Sequence, residues 1–89
     1  MSEKEQLATE VAFAAQGQLV LNNEAYKTAM TVLKAQIFET FCKTGTDQQD
    51  IREEAWRTMR NLQKLEDYFK TVLETGKMAE MSLKAIDDA

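Results

Sequence analysis

Apolar residues recur at helical spacing along most of the chain and divide it into three segments. In residues 24–43 they follow steps of three and four, which place them on one face of a helix. The members of that stripe are Tyr26, Met30, Leu33, Ile37 and Phe41. Residues 47–75 carry a matching stripe, formed by Ile51, Ala55, Met59, Leu62, Leu65, Phe69 and Val72 or Leu73. The pattern predicts two long amphipathic helices.

The connector between these helices contains a stop signal and a start signal. Gly45 suits the left-handed backbone that ends many helices, and residues 46–49 match a capping box. Gly76 is expected to end the third helix, with Met78 and Met81 in a short turn after it. Because a short link makes neighbouring helices antiparallel, the prediction is an antiparallel helical hairpin.

An additional N-terminal helix is predicted over residues 3–21, where apolar residues alternate with alanines that would let another helix approach closely. Asn23 is expected to cap the next helix, because Asn accepts hydrogen bonds from free backbone amides at this position. Residues 1–6 and 85–89 are expected to fray. The whole chain, residues 1–89, is therefore predicted to be a single small all-α domain.

Three aromatic residues lie to the side of the main stripes, where a single hairpin would leave them uncovered. A chain of 89 residues also buries a smaller fraction of its surface than a larger domain does. We therefore expect oligomerisation to complete the fold. The candidate interface residues are Ala12, Ala15, Phe38, Trp56 and Tyr68.

Composition narrows the possible functions. The net charge of −4 argues against nucleic acid as the main partner, since non-specific binding to duplex DNA normally needs a basic excess. Without histidine, Cys–His and Ser–His catalysis and imidazole metal ligation are excluded. The longest wholly apolar run, residues 11–15, is far shorter than the roughly 20 residues of a membrane-spanning helix. We expect no enzyme activity, no cofactor or metal, and no membrane partner.

Arg57, Arg60 and Lys64 follow positions i, i+3 and i+7 of the third helix and so share one face. Three cations on one strip beside Trp56 are a candidate site for a phosphate, a nucleotide or an acidic partner. In the other interpretation, interleaved acidic residues such as Glu53 pair with these cations and leave an ordinary solvated face. Both interpretations stay open at this point.

Several features occur in a fixed order along residues 21–83: an Asn before a helix, an aromatic near its end, a turn around Asp47, the pair Arg52-Glu53 and the close Gly76-Lys77. In this order they resemble a group of small tailed-bacteriophage proteins that are encoded among packaging and virion genes. The chain departs from them in carrying Gly45-Thr46 where similar chains often have Pro. The resemblance implies a viral setting and assigns no functional residues.

These observations lead us to expect a non-enzymatic phage protein that self-associates and acts in virion assembly, as a minor structural, connector or packaging-associated component. Its partners would be itself and another phage or host protein, in the host cytoplasm during infection and in the virion if it is incorporated. The alternative is a host-interaction or counter-defence binder that captures a nucleotide or a host protein through Arg57, Arg60 and Lys64. A nucleic-acid-binding regulator and an acidic DNA mimic are weaker alternatives.

Overall fold

The computed structural model of the chain describes residues 2–89, and the regular elements in this range are three α-helices. They are α1 (Glu3–Asn22), α2 (Glu24–Cys42) and α3 (Gln49–Asp87). The prediction of an all-α chain is confirmed, and an N-terminal helix precedes the other two. Contacts group these helices into two compact units. Unit 1 contains α1 and the part of α3 from Asp67 onward, and unit 2 contains Asn23–Glu66. The expected single domain stays a prediction.

The junction between α1 and α2 is a single capping residue, as the sequence predicts. Asn23 has an extended backbone, and its side-chain oxygen accepts a hydrogen bond from the Tyr26 amide at 3.0 Å. Glu24 lies in the first turn of α2, where a negative charge interacts favourably with the positive end of the helix dipole. This cap satisfies one of the amides that the start of a helix leaves without an intrahelical partner.

The connector between α2 and α3 differs from the predicted one. No described residue has a positive φ, so the expected left-handed conformation of Gly45 is wrong. The Gly45 amide donates to the Gln48 side chain at 2.8 Å, and the Arg52 guanidinium donates to the Gly45 carbonyl. These side chains satisfy the turn without a left-handed residue. They also replace the predicted capping box of residues 46–49, and α3 begins at Gln49.

In unit 2, α2 and the first part of α3 pack antiparallel. Met30 of α2 and Ala55 of α3 are each only 8% exposed and are the buried apolar residues of this packing. Lys34 of α2 pairs with Glu66 of α3 in this unit. The Lys34 ammonium group lies 2.5 Å from the Glu66 carboxylate, and the two side chains are 38% and 28% exposed.

In unit 1, α1 packs antiparallel against the second part of α3. Gly17 faces Phe69 and Val72 near one end, and Lys4 forms an ion pair of 2.9 Å with Asp87 at the other. The N-terminal helix therefore folds back on α3 of the same chain. Residues 3–6 and 85–87, which the sequence predicts to fray, lie within helices. Met1 lies outside the described residues.

Gly76 does not end α3, and the predicted stop there is wrong. The helix continues for eleven further residues to Asp87. Gly76 is buried, and a Cβ placed on it would lie 2.1 Å from the Cβ of Ala14 on α1. The glycine therefore serves the close approach of two helices and not the termination of one.

We expect Gly76→Ala to lower the free energy of unfolding by about 1–3 kcal/mol, the usual cost of overpacking, because the new methyl overlaps Ala14. The matched control is Gly17→Ala in the same unit. A Cβ there meets Val72 at an ordinary 3.4 Å, so the variant gains about 0.5–1 kcal/mol from removing a helical glycine. Urea unfolding followed by circular dichroism measures both. Equal or greater stability of Gly76→Ala would contradict the close contact.

Candidate functional site

Most large apolar side chains of the described residues remain exposed. The buried apolar residues are Met30, Ala55 and Ala79, whereas fourteen large ones are at least 37% exposed. The accessible surface is 6849 Å². A folded monomer of this mass typically exposes about 5,300 Å². The chain therefore presents about 1,500 Å² more surface than a compact monomer of its size.

The most concave apolar surface of unit 2 lies between α2 and α3. We call it the aromatic groove, and its lining residues are Ile37, Phe38, Phe41, Ala55, Trp56 and Met59. Its volume is about 200 Å³, and no charged side chain lines it. Phe38 is 64% exposed and Trp56 is 55% exposed, so two rings stand open on opposite walls. The groove forms because Phe38 and Trp56 flank the α2–α3 seam without lying in it.

Arg57, Arg60 and Lys64, which we call the basic strip, are all exposed on α3. The Arg60 guanidinium carbon lies 4.9 Å from the centre of the Trp56 ring, a cation–π geometry. Arg57 instead donates to the backbone carbonyl of Glu53 at 3.3 Å. The two guanidinium groups thus have different partners and do not converge on one point. The Arg60 guanidinium therefore lies over Trp56 at the rim of the aromatic groove.

The other candidate interface residues lie in unit 1. Tyr68 is 54% exposed and makes an edge contact with Phe69, with ring centres 5.8 Å apart. Ala12 and Ala15 are exposed on α1, and Ala15 borders a shallow depression beside Gly76. The structure therefore brings Phe38 and Trp56 together in one groove and places Ala12, Ala15 and Tyr68 on other surfaces.

Two exposed methionines form a surface that sequence reasoning missed. Met78 is 69% exposed and Met81 is 65% exposed, both in the helical part of α3 beyond Gly76. This surface was missed because α3 was predicted to end at Gly76, with Met78 and Met81 in a separate short turn. With α3 continuous, Glu74, Met78, Met81 and Ala85 follow steps of four and three along one line. We call this line the methionine stripe.

Features that would suggest other chemistry are absent from the described residues. No group of three or more potential ligands among His, Cys, Asp and Glu could hold a metal ion. None of the three helices has a segment long and apolar enough to cross a membrane. Cys42 is a free, exposed thiol at the end of α2.

Comparisons of the chain with models of protein families, with curated proteins and with solved structures found no match. The resemblance to tailed-phage proteins therefore stays a prediction, and the site is interpreted from its own geometry.

We expect Arg60→Gln to reduce quenching of Trp56 fluorescence by iodide while leaving quenching by neutral acrylamide nearly unchanged. The reason is that Arg60 lies over the ring and concentrates anions beside it. Trp56 is the chain's single tryptophan, so its emission reports this site alone. Lys27→Gln is the matched control, since it removes one positive charge from an ion pair with Glu24 elsewhere on α2. Equal iodide quenching in both variants would contradict the contact.

Proposed function

We propose that this chain is a non-enzymatic helical protein that self-associates and acts as an assembly component of a tailed bacteriophage. In this role it would be a minor structural, connector or packaging-associated protein. The observation that carries the proposal is the imbalance between its few buried apolar residues and its fourteen exposed large ones. Contiguous exposed apolar surface on a small protein is typical of interaction sites.

The size of the exposed surface supports self-association of the chain as part of its function. A specific interface usually buries about 800 Å² on each partner, which is less than the surface excess of this chain. Full burial of one large apolar side chain contributes about 1.5–3 kcal/mol. Phe38 and Trp56, which stand on opposite walls of the aromatic groove, would together supply a substantial part of a binding free energy. Aromatic anchors of this kind dominate many interfaces.

The phage setting of the proposal is supported by the order of features along residues 21–83, which resembles that of small tailed-phage proteins encoded among packaging and virion genes. It implies action in the host cytoplasm during infection, followed by incorporation where the component belongs to the particle.

A second function class has one observation in its favour, the cation of Arg60 held over Trp56. Trp and Arg are the residues most enriched among energetic hot spots of protein interfaces. This pairing favours capture of a host protein over capture of a nucleotide, for which convergent cations would be needed. The host-binding alternative uses the same surface as self-association, with a different occupant.

We expect the sedimentation-equilibrium mass of the chain to rise above the monomer mass between about 1 and 100 µM, the range of micromolar affinities. The emission of Trp56 should move to shorter wavelength over the same range as its exposed ring is covered. A constant monomer mass across the series would remove self-association and leave the host-binding alternative.

Purified particles of the phage that encodes the chain test the setting. We expect mass spectrometry to find its peptides in particles or in assembly intermediates, at levels comparable with known minor structural proteins. A non-virion enzyme of the same phage serves as the control for carry-over. If the chain appears only at the level of that control in both fractions, the assembly role is lost.

A further inference from the structure

We propose that copies of this chain associate head to tail, with the methionine stripe of one copy seated in the aromatic groove of the next. This inference rests on the proposed self-association and specifies its surfaces. It makes the contact heterologous, so each copy uses one surface to bind and a different surface to be bound. The groove belongs to unit 2 and the stripe to unit 1.

Charge is divided unequally between the two units. Unit 1 has eight acidic and four basic residues, whereas unit 2 has seven of each. The whole net charge of −4 therefore resides in unit 1. Around the aromatic groove basic and acidic residues alternate: Arg60 lies over Trp56, and Glu53 borders Trp56 and Phe41. Contact between unit 1 of one copy and the neutral unit 2 of another avoids the repulsion between two net-negative unit 1 surfaces.

The methionine stripe has the features of a helix that binds in a groove. Met78 and Met81 stand one turn apart on a single helix face, as apolar anchors of such helices do. Glu74 lies one turn before them and Asp88 follows at the end of the same line. Both are exposed, as are Lys77 and Lys84 on the side of Met81, so Glu74 beside Met78 is the carboxylate that we align with Arg60.

The chemistry of the groove matches methionine. Three of its six lining residues are aromatic, and thioether sulfur makes favourable contacts with aromatic rings. Methionine is also unbranched and flexible, so it fits a shallow, irregular site. No charged side chain of the groove would be left without a partner under the anchors. The charged contacts would lie at the rim.

Two other modes of self-association fit less well. Groove-to-groove pairing about a two-fold axis would place the Arg60 groups of both copies in one interface, because Arg60 lies directly over a groove residue. Such like-charge contact opposes binding. Insertion of α1 is the other mode, through its exposed Phe13 and Val20. Residues 11–22 contain no charged residue, so this surface offers no carboxylate to the basic strip.

Two blocked variants test this mode of association. Phe38→Glu places a charge in the groove and leaves the stripe intact, while Met78→Lys/Met81→Lys blocks the stripe and leaves the groove intact. All three residues are more than 60% exposed, so the helices should form normally, which circular dichroism checks. We expect each variant alone to sediment as a monomer at concentrations where the wild-type chain associates. An equimolar mixture should contain a species of twice the monomer mass, because one groove and one stripe remain available.

Val32→Glu is the matched control for the groove variant. Val32 is an exposed apolar residue of α2 that does not line the groove, so this variant should associate like the wild-type chain. Self-association of the stripe variant at wild-type strength would overturn the proposal in favour of another contact. A mixture that stays monomeric while the wild-type chain associates would also overturn it. Failure of the wild-type chain itself to associate would instead remove the proposed function.

A charge exchange tests the polar part of the contact. Arg60→Glu and Glu74→Arg should each weaken association by about tenfold or more in low salt, because each places like charges at the rim. The two substitutions combined in one chain should restore most of the lost affinity. If the combined variant binds no better than the weaker single one, Arg60 and Glu74 do not face each other, and the proposed alignment of stripe and groove is wrong.

Discussion

In each unit, the packing of one helix against a line of α3 residues, which we call the buried line, is the constraint on which the rest of the structure depends. The members of this line are spaced three or four residues apart and are partly or fully covered: Ala55, Met59, Leu62 and Glu66 in unit 2, and Phe69, Leu73, Gly76, Ala79 and Leu83 in unit 1. A single helix covers the line in each unit, α2 in unit 2 and α1 in unit 1. Two helices in contact bury only the facing side of each. Many large apolar residues placed beside the line are therefore left at the surface.

The surplus of exposed apolar residues follows from this geometry and does not require unusual composition. Phe38 and Trp56 flank the seam of unit 2, and together they make a groove that could not exist if a third helix lay across it. Met78 and Met81 lie away from α1, where unit 1 has no further helix to cover them. A unit of two helices buries only part of its apolar surface. Association between copies would cover more of that surface.

Much of the fold could be predicted from the sequence, because helix periodicity and the Asn23 cap are local signals. Helix number, the hairpin of α2 with α3, and the exposed positions of Phe38 and Trp56 all follow from spacing alone. The fate of Gly76 could not be predicted, since a glycine that ends a helix and one that admits a neighbouring helix look alike until Ala14 is in place. Because the continuation of α3 past Gly76 was not predicted, the methionine stripe was not predicted either.

Glu66 shows another limit of pattern reasoning. Its position on the buried line would suit an apolar residue, and only the packing of α2 brings Lys34 to it. That pairing has a consequence for alignment. Apolar side chains tolerate sliding of one helix along another, since one methylene group replaces the next at little cost. Displacing α2 by one turn would set Glu66 against an uncharged neighbour and deprive its carboxylate of a counter-charge. The ion pair therefore specifies the register of α2 against α3, which apolar contacts alone would leave free to shift by a turn.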